Sequence, residues 1–262
     1  MKERDNVLTS AVGSRVVVAG GCGGIGRYLV KTCTEAGFEV VVLDLQNSIE
    51  ASERDNAATY VAFDARDPDS IKRACAAVSD KWDGLETFVF LSGFPILPKR
   101  PLTETSLEKW NELISVNLTS AYLLTNELAP LLRNGRNPAI VTVASSLGYQ
   151  PMPGMGAYAT SKGGLVSLTK AIAAEYAPTI RANVVAPGAV DTDFLSGGTG
   201  RPNEGADRSW FDAQKEKYVS SIPLARVADP RDIVGPILFL AGPGSAYMTG
   251  QVLHLNGGRL TP

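Results

Sequence analysis

Gly20-Gly21-Cys22-Gly23-Gly24-Ile25-Gly26 follows the apolar run Val16-Val17-Val18-Ala19 and leads straight into a helical stretch at 24–36. Glycines between a strand and a helix permit positive φ, let backbone amides approach a pyrophosphate, and allow the helix to pack closely on the strand. The helix N-terminus adds a favourable field for negative charge. Gly20, Gly24, Ile25 and Gly26 are therefore candidate dinucleotide-binding residues. The spacing Gly20-x-x-x-Gly24-x-Gly26 differs from a simple G-x-G-x-x-G, and a tight turn alone would also use glycine. Its place after the first strand is what argues for a ligand.

Outward from that loop, short β-branched runs alternate with longer helical stretches. Strands are expected at 15–19, 39–43, 60–63, 86–91, 139–144, 180–185 and 251–255, and helices at 24–36, 68–82, 106–133, 156–177 and 229–240. Parallel strands need long crossovers and bury both faces, so this rhythm predicts an α/β, doubly wound (Rossmann-type) domain with a predominantly parallel sheet of about seven strands and helices on both faces. Asp229-Pro230 reads as an N-cap followed by proline at the first helical position. We expect a flexible segment at 1–12, one domain over 13–262, and a substrate lid at about 192–222 that contains Gly197, Gly198, Gly200 and Gly205.

The chain has 262 residues, 44% hydrophobic and 20% charged, with formal net charge -2. That composition excludes disorder as the main state, and the near balance of 25 basic and 27 acidic residues leaves no basic footprint for nucleic acid or anionic membrane. Cys22, Cys33 and Cys75 with the lone His254 make neither a disulfide framework nor a metal-ligand spacing, so no metal is expected and a cytoplasmic location is. His254, on the last strand, reads as structural. Glycine is in excess, 26 residues against a typical ~7%.

Asp44 ends the second strand eighteen residues after Gly26. A carboxylate there accepts hydrogen bonds from ribose hydroxyls and repels a 2′-phosphate, which favours NAD over NADP. Asp64 and the adjacent Ala65, after the third strand, are weaker candidates for the adenine edge.

Tyr158-Ala159-Thr160-Ser161-Lys162 places a phenol and an ammonium on one helix face. For the tyrosine to act as a base near neutrality its pKa must fall by roughly three units, or about 4 kcal/mol. The lysine and the positive ring of an oxidised nicotinamide are the expected causes. Ser145 ends the fifth predicted strand, at the sheet edge where open α/β sheets place their chemistry.

The glycine loop, Ser145, Tyr158 and Lys162, with Pro187-Gly188, Thr192 and Thr249-Gly250, together resemble the short-chain dehydrogenase/reductase family over nearly the whole chain. The resemblance implies that Tyr158 is the general acid/base, that Lys162 lowers its pKa and binds the nicotinamide ribose, and that Ser145 hydrogen-bonds the reacting oxygen. It implies that Asn117 holds a water through its backbone, and that Gly93, Pro187, Gly188, Val190 and Thr192 meet the cofactor. It also implies a homotetramer or homodimer. Two departures are local: Ala19 stands where threonine is common, and Phe90-Leu91-Ser92-Gly93 replaces Asn-Asn-Ala-Gly.

Phe94, Ile96, Met152, Met155, Phe194 and Trp210, with Leu97, Leu195 and Phe211, are expected around an apolar substrate pocket. Lys99-Arg100 reads as a solvated surface pair rather than a dock for an anionic tail. The expected activity is NAD(H)-dependent interconversion of a secondary alcohol and a ketone, with a small-molecule partner. The alternatives are a 3-oxoacyl thioester reductase using NADPH and a noncatalytic dinucleotide sensor; the latter has no need of an acid/base group.

Overall fold

The computed structural model describes residues 13–198 and 208–261. The segment 1–12 and the lid residues 199–207, which include Gly200 and Gly205, lie outside the described residues. Seven parallel strands form one sheet in the order β3-β2-β1-β4-β5-β6-β7, with β1 (Arg15–Ala19), β2 (Glu39–Asp44), β3 (Thr59–Ala62), β4 (Thr87–Phe90), β5 (Ala139–Val143), β6 (Arg181–Pro187) and β7 (Val252–Leu255). The chain runs outward from β1 to one edge, returns to the centre, and runs to the other. The reversal between β1 and β4 opens a crevice at the carboxyl ends of the strands.

Alternation along the strands assigns the two faces. Val17, Val41, Phe88, Phe90 and Ile140 face α3 (Pro68–Lys81), α5 (Ser120–Arg133) and α6 (Gly156–Tyr176), while Val16, Val18, Val40 and Val42 face α1 (Gly24–Glu35) and α9 (Pro230–Ala241). Each fully buried valine or leucine contributes about 1.5–3 kcal/mol of transfer free energy. Both faces are apolar for that reason, and the strands read as continuous runs.

The cap of α9 follows the sequence expectation. Asp229 accepts from the Arg231 amide at 2.9 Å, and Asp232 accepts from the Asp229 amide at 2.7 Å, which satisfies amides of the first turn reciprocally.

Three elements differ from the sequence expectation. The helix expected over 106–133 is α4 (Leu107–Ile114), a π-helical turn at Ser115–Thr119, and α5. Asn117 sits in that turn, and its amide is held by the Phe94 backbone, so a tertiary contact overrides regular i to i+4 pairing. Between β2 and β3 lies an unexpected short helix, α2 (Gln46–Ala51). The segment expected to form a lid carries α7 (Ser209–Asp212) and α8 (Lys215–Ser220), elements too short for periodicity to reveal. Among the described residues no helix is long and apolar enough to cross a membrane.

Candidate active site

The glycine loop turns at Gly20, whose φ of +84° is a left-handed conformation that an L side chain adopts only under strain. Space is equally decisive, because a Cβ there would lie 2.7 Å from the Ser92 amide nitrogen. Ser92, where the family commonly has alanine, thus packs directly under the loop. Asp44 closes the loop from the side, its carboxylate accepting from the Cys22 amide and from the Leu45 amide, each at 2.8 Å. Burial pushes the Asp44 carboxyl up, while these amide donors oppose the rise. The Cys22 thiol is buried and pushed up to about 11, chiefly by desolvation, so it is not a nucleophile at neutral pH.

A cleft of about 1190 Å³ runs from this loop across the sheet edge. Gly20, Gly24, Ile25, Gly26, Asp44, Asp64, Ala65, Gly93, Pro187, Gly188, Val190 and Thr192 line it, together with Ser145, Tyr158 and Lys162. Thr192 stands against the loop, where a Cβ on Gly24 would come within 2.5 Å of its methyl group. The Asp64 carboxylate pairs with Arg66, which also lines the cleft, at 2.7 Å from Nη2. The tight fit at Gly188 comes from Asn256, which a Cβ would approach to 3.2 Å, not from open space for a ligand.

Lys162 lies one helical turn beyond Tyr158, and both are buried. Its Nζ donates to the Val143 carbonyl at 3.0 Å and sits 5.8 Å from the centroid of the Tyr158 ring. Ser145, just beyond β5, lies beside the phenol of Tyr158 and lowers its pKa, and its Oγ accepts from the Leu147 amide at 3.1 Å. Burial sets both ionisations: it holds Lys162 down at about 8 and pushes Tyr158 up, with the Ser145 contact opposing that rise. These residues alone therefore do not give the expected depression of the tyrosine, because desolvation outweighs the hydroxyl contact. The ammonium remains mostly protonated at neutral pH, so a positive charge persists beside the phenol.

Asn117 is fully buried and does not line the cleft. Its Oδ1 accepts from the Phe94 amide and its Nδ2 donates to the Phe94 carbonyl, both at 3.0 Å, with a further 3.1 Å bond from Nδ2 to Ser161 Oγ. It ties the loop after β4 to the tyrosine helix, and Gly93 passes beside both Asn117 Oδ1 and Lys162 Nζ.

Phe94, Ile96 and Met155 pack with Tyr158 in one apolar cluster, and Phe194 joins it with its ring 5.9 Å from the tyrosine ring. Met152 lines the cleft at the exposed rim. Leu97, Leu195 and Phe211 also line it. The Trp210 side chain lies outside the described residues. His254 faces Tyr149, with ring centroids 4.6 Å apart, and does not line the cleft. Sequence reasoning missed Tyr218, which lines the cleft from α8 and accepts from the Ala189 amide at 3.0 Å. No motif marks it, since its contact joins segments 29 residues apart in the chain.

The glycine-lined floor, the amides of the loop and the carboxylate of Asp44 fit a dinucleotide. A family model described as Enoyl-(Acyl carrier protein) reductase matches residues 20–259. The chain is similar to the 3-oxoacyl-[acyl-carrier-protein] reductase FabG of Chlamydia pneumoniae, 32% identical over 254 residues with 94% of this chain and 97% of that one covered. It is also similar to the FabG of Vibrio cholerae, 29% identical over 250 residues with coverage of 94% and 97%. Among solved structures, a short-chain dehydrogenase/reductase described as glucose/ribitol dehydrogenase from Brucella melitensis superposes with a TM-score of 0.85 at 25% identity, covering 97% of this chain and 99% of that one. A dehydrogenase/reductase from Sinorhizobium meliloti 1021 gives 0.80 at 27% identity, with 97% and 98% covered. The chain belongs to the short-chain dehydrogenase/reductase family, and so is an oxidoreductase of CH–OH groups that works with a nicotinamide dinucleotide.

Proposed function

We propose that this protein interconverts a secondary alcohol and a ketone with NAD(H), using Tyr158 as general acid/base. The observation that carries the reading is the convergence of buried Ser145, Tyr158 and Lys162 on the cleft that the glycine loop lines. When bound, the dinucleotide supplies the hydride acceptor or donor. The loop amides, with Asp44, Gly93, Val190 and Thr192, hold it.

In the reducing direction the protonated phenol of Tyr158 gives its proton to the carbonyl oxygen, which Ser145 also contacts through its hydroxyl. In the oxidising direction the same phenol must first lose its proton, and the Lys162 ammonium favours the phenolate. Asn117 positions the loop that carries Gly93 and Phe94. Phe94, Ile96, Met155 and Phe194 exclude water around the reacting centre, which strengthens these charge interactions.

NAD(H) is favoured over NADP(H) by the half-buried Asp44 at the carboxyl end of β2, where a second negative charge on the ribose would be repelled. Arg66, which lines the same cleft, is committed to Asp64 and Glu112. A 3-oxoacyl thioester reductase using NADPH is the second reading, favoured by the printed activity of the FabG relatives. The intact tyrosine and lysine weigh against a noncatalytic sensor. We further propose one domain over 13–262 with its substrate lid at about 192–222, a cytoplasmic location, and a homotetramer or homodimer.

The test is a panel of secondary alcohols, ketones, sugars, steroids and acyl thioesters assayed with NAD(H) and NADP(H). Tyr158→Phe is expected to lower kcat by about 10²–10⁴-fold while cofactor binding is retained. Near-normal turnover removes tyrosine from the chemistry, and a larger kcat/KM with NADPH overturns the cofactor choice.

A further inference from the structure

Lys99 and Arg100 sit between β4 and α4 and are not the solvated pair that their sequence suggests. Both are half-buried and both line the cleft that holds Tyr158. The Arg100 amide donates to the Gly154 carbonyl at 3.2 Å, and a Cβ on Gly154 would lie 2.9 Å from Lys99 Cβ. The basic loop is therefore stapled to the turn that enters the tyrosine helix. Arg100 lines, with Ile96, Met155 and Tyr158, a small recess beside the main cleft.

Within this arrangement the Arg100 Nε is buried and has no hydrogen-bond partner among the described residues. Other cations lining the cleft are engaged: Arg66 with Asp64 and Glu112, and Lys109 with Glu112. An ionised donor taken out of water without an acceptor is an unfavourable arrangement that a bound anion relieves. The guanidinium edge presents Nε and Nη as a planar fork, which matches a carboxylate with two parallel hydrogen bonds.

We infer that the substrate is an oxo acid, or the corresponding hydroxy acid, whose carboxylate is bound by Arg100 while its reacting oxygen meets Tyr158. This rests on the alcohol–ketone reading above. Ile96 and Met155 line the main cleft that Arg100 shares with Tyr158, so the inference calls for a short aliphatic link between the two polar ends.

The experiment compares acetoacetate, levulinate and longer oxo acids with their methyl esters, using the intact protein and NADH. In the wild type the acid-to-ester ratio of kcat/KM is expected to favour the acids by ~10-fold or more, the effect of a charge-assisted contact. Arg100→Gln is expected to collapse that ratio to about 1, mainly through KM, and Arg100→Lys to give an intermediate value because it keeps the charge and loses the fork. Esters used as well as acids by the wild type, a ratio unchanged in both variants, or failure of every acid either to react or to inhibit competitively overturns the inference. Tyr158→Phe separates the two levels. If it is inactive on neutral ketones while acids gain nothing from Arg100, only the carboxylate subsite fails; if it is fully active, the underlying reading fails.

Discussion

Charged side chains are buried at both ends of the sheet, and the two ends treat them differently. At the amino ends of β1 and β4, Glu86 accepts from the Arg15 amide at 2.9 Å, Arg15 Nε at 3.0 Å, Arg15 Nη2 at 2.9 Å and the Arg136 amide at 3.1 Å. Asp83 takes Arg15 Nη1 at 2.7 Å. Desolvation would raise the Glu86 carboxyl, yet the bonds from Arg15 and Arg136 hold it down at about 2. At the carboxyl ends, Lys162 has one carbonyl partner and no carboxylate among the described residues, and its pKa falls for want of compensation. The first cluster braces the fold; the second leaves desolvation uncompensated, and that imbalance keeps Tyr158 and Lys162 responsive to what enters the cleft.

Removing one partner at the braced end gives the largest expected stability effect. Glu86→Gln leaves Arg15 with Asp83 as its one carboxylate partner among the described residues and is expected to cost about 3 kcal/mol, measured by denaturant unfolding at neutral pH. The kcat of the folded fraction is expected to stay at the wild-type value, because neither residue lines the cleft. Loss of kcat with stability retained would break the contrast. At the reactive end the sign reverses. Lys162→Met removes a buried ammonium whose pKa is held near 8 rather than 10.5, so it is expected to abolish turnover and yet to stabilise the fold by about 1–3 kcal/mol, less what the lost bond to Val143 contributes. A destabilised Lys162→Met protein would show that the ammonium is compensated after all.

How far the sequence reveals each end follows from the range of the forces involved. The strands were legible because parallel pairing buries both faces and leaves valine runs, and the glycine loop was legible because backbone crowding near Gly20 leaves no room for a Cβ. The shared helix face of Tyr158 and Lys162 was legible through their i and i+4 spacing, and Ser145 was singled out at its strand end by the family resemblance. What escaped depends on contacts between segments distant in the chain. Asn117 interrupts its helix because Phe94, twenty-three residues earlier, binds its amide. Arg100 looks like a surface residue until Gly154 takes its amide. Arg181 gave no signal at all, though its guanidinium donates to the Leu240, Gly242 and Ser245 carbonyls at the end of α9. The direction of the tyrosine shift also escaped, because the pattern names the lysine partner and says nothing of how dry the site is.

The smallest expected effect concerns pH and sharpens the same contrast. Lys162 binds its proton less tightly in the folded chain, near 8, than when unfolded, near 10.5, so its penalty is full below pH 8 and is relieved as pH rises toward 10.5. Between pH 7 and 9 the relief is about 1 kcal/mol. Cys22, Cys33 and Cys75 act in the opposite sense: burial raises their folded pKa to about 11, 12 and 12 from 9.0, so the stability they contribute is full below pH 9 and is lost as pH rises from there toward the folded values. The wild-type curve alone therefore mixes two slopes. Subtracting the Lys162→Met curve cancels the thiols, which both proteins share, and the difference is expected to shrink by about 1 kcal/mol from pH 7 to pH 9. A flat difference would mean that the ammonium is not desolvated, and that the two ends of the sheet bury charge on equal terms.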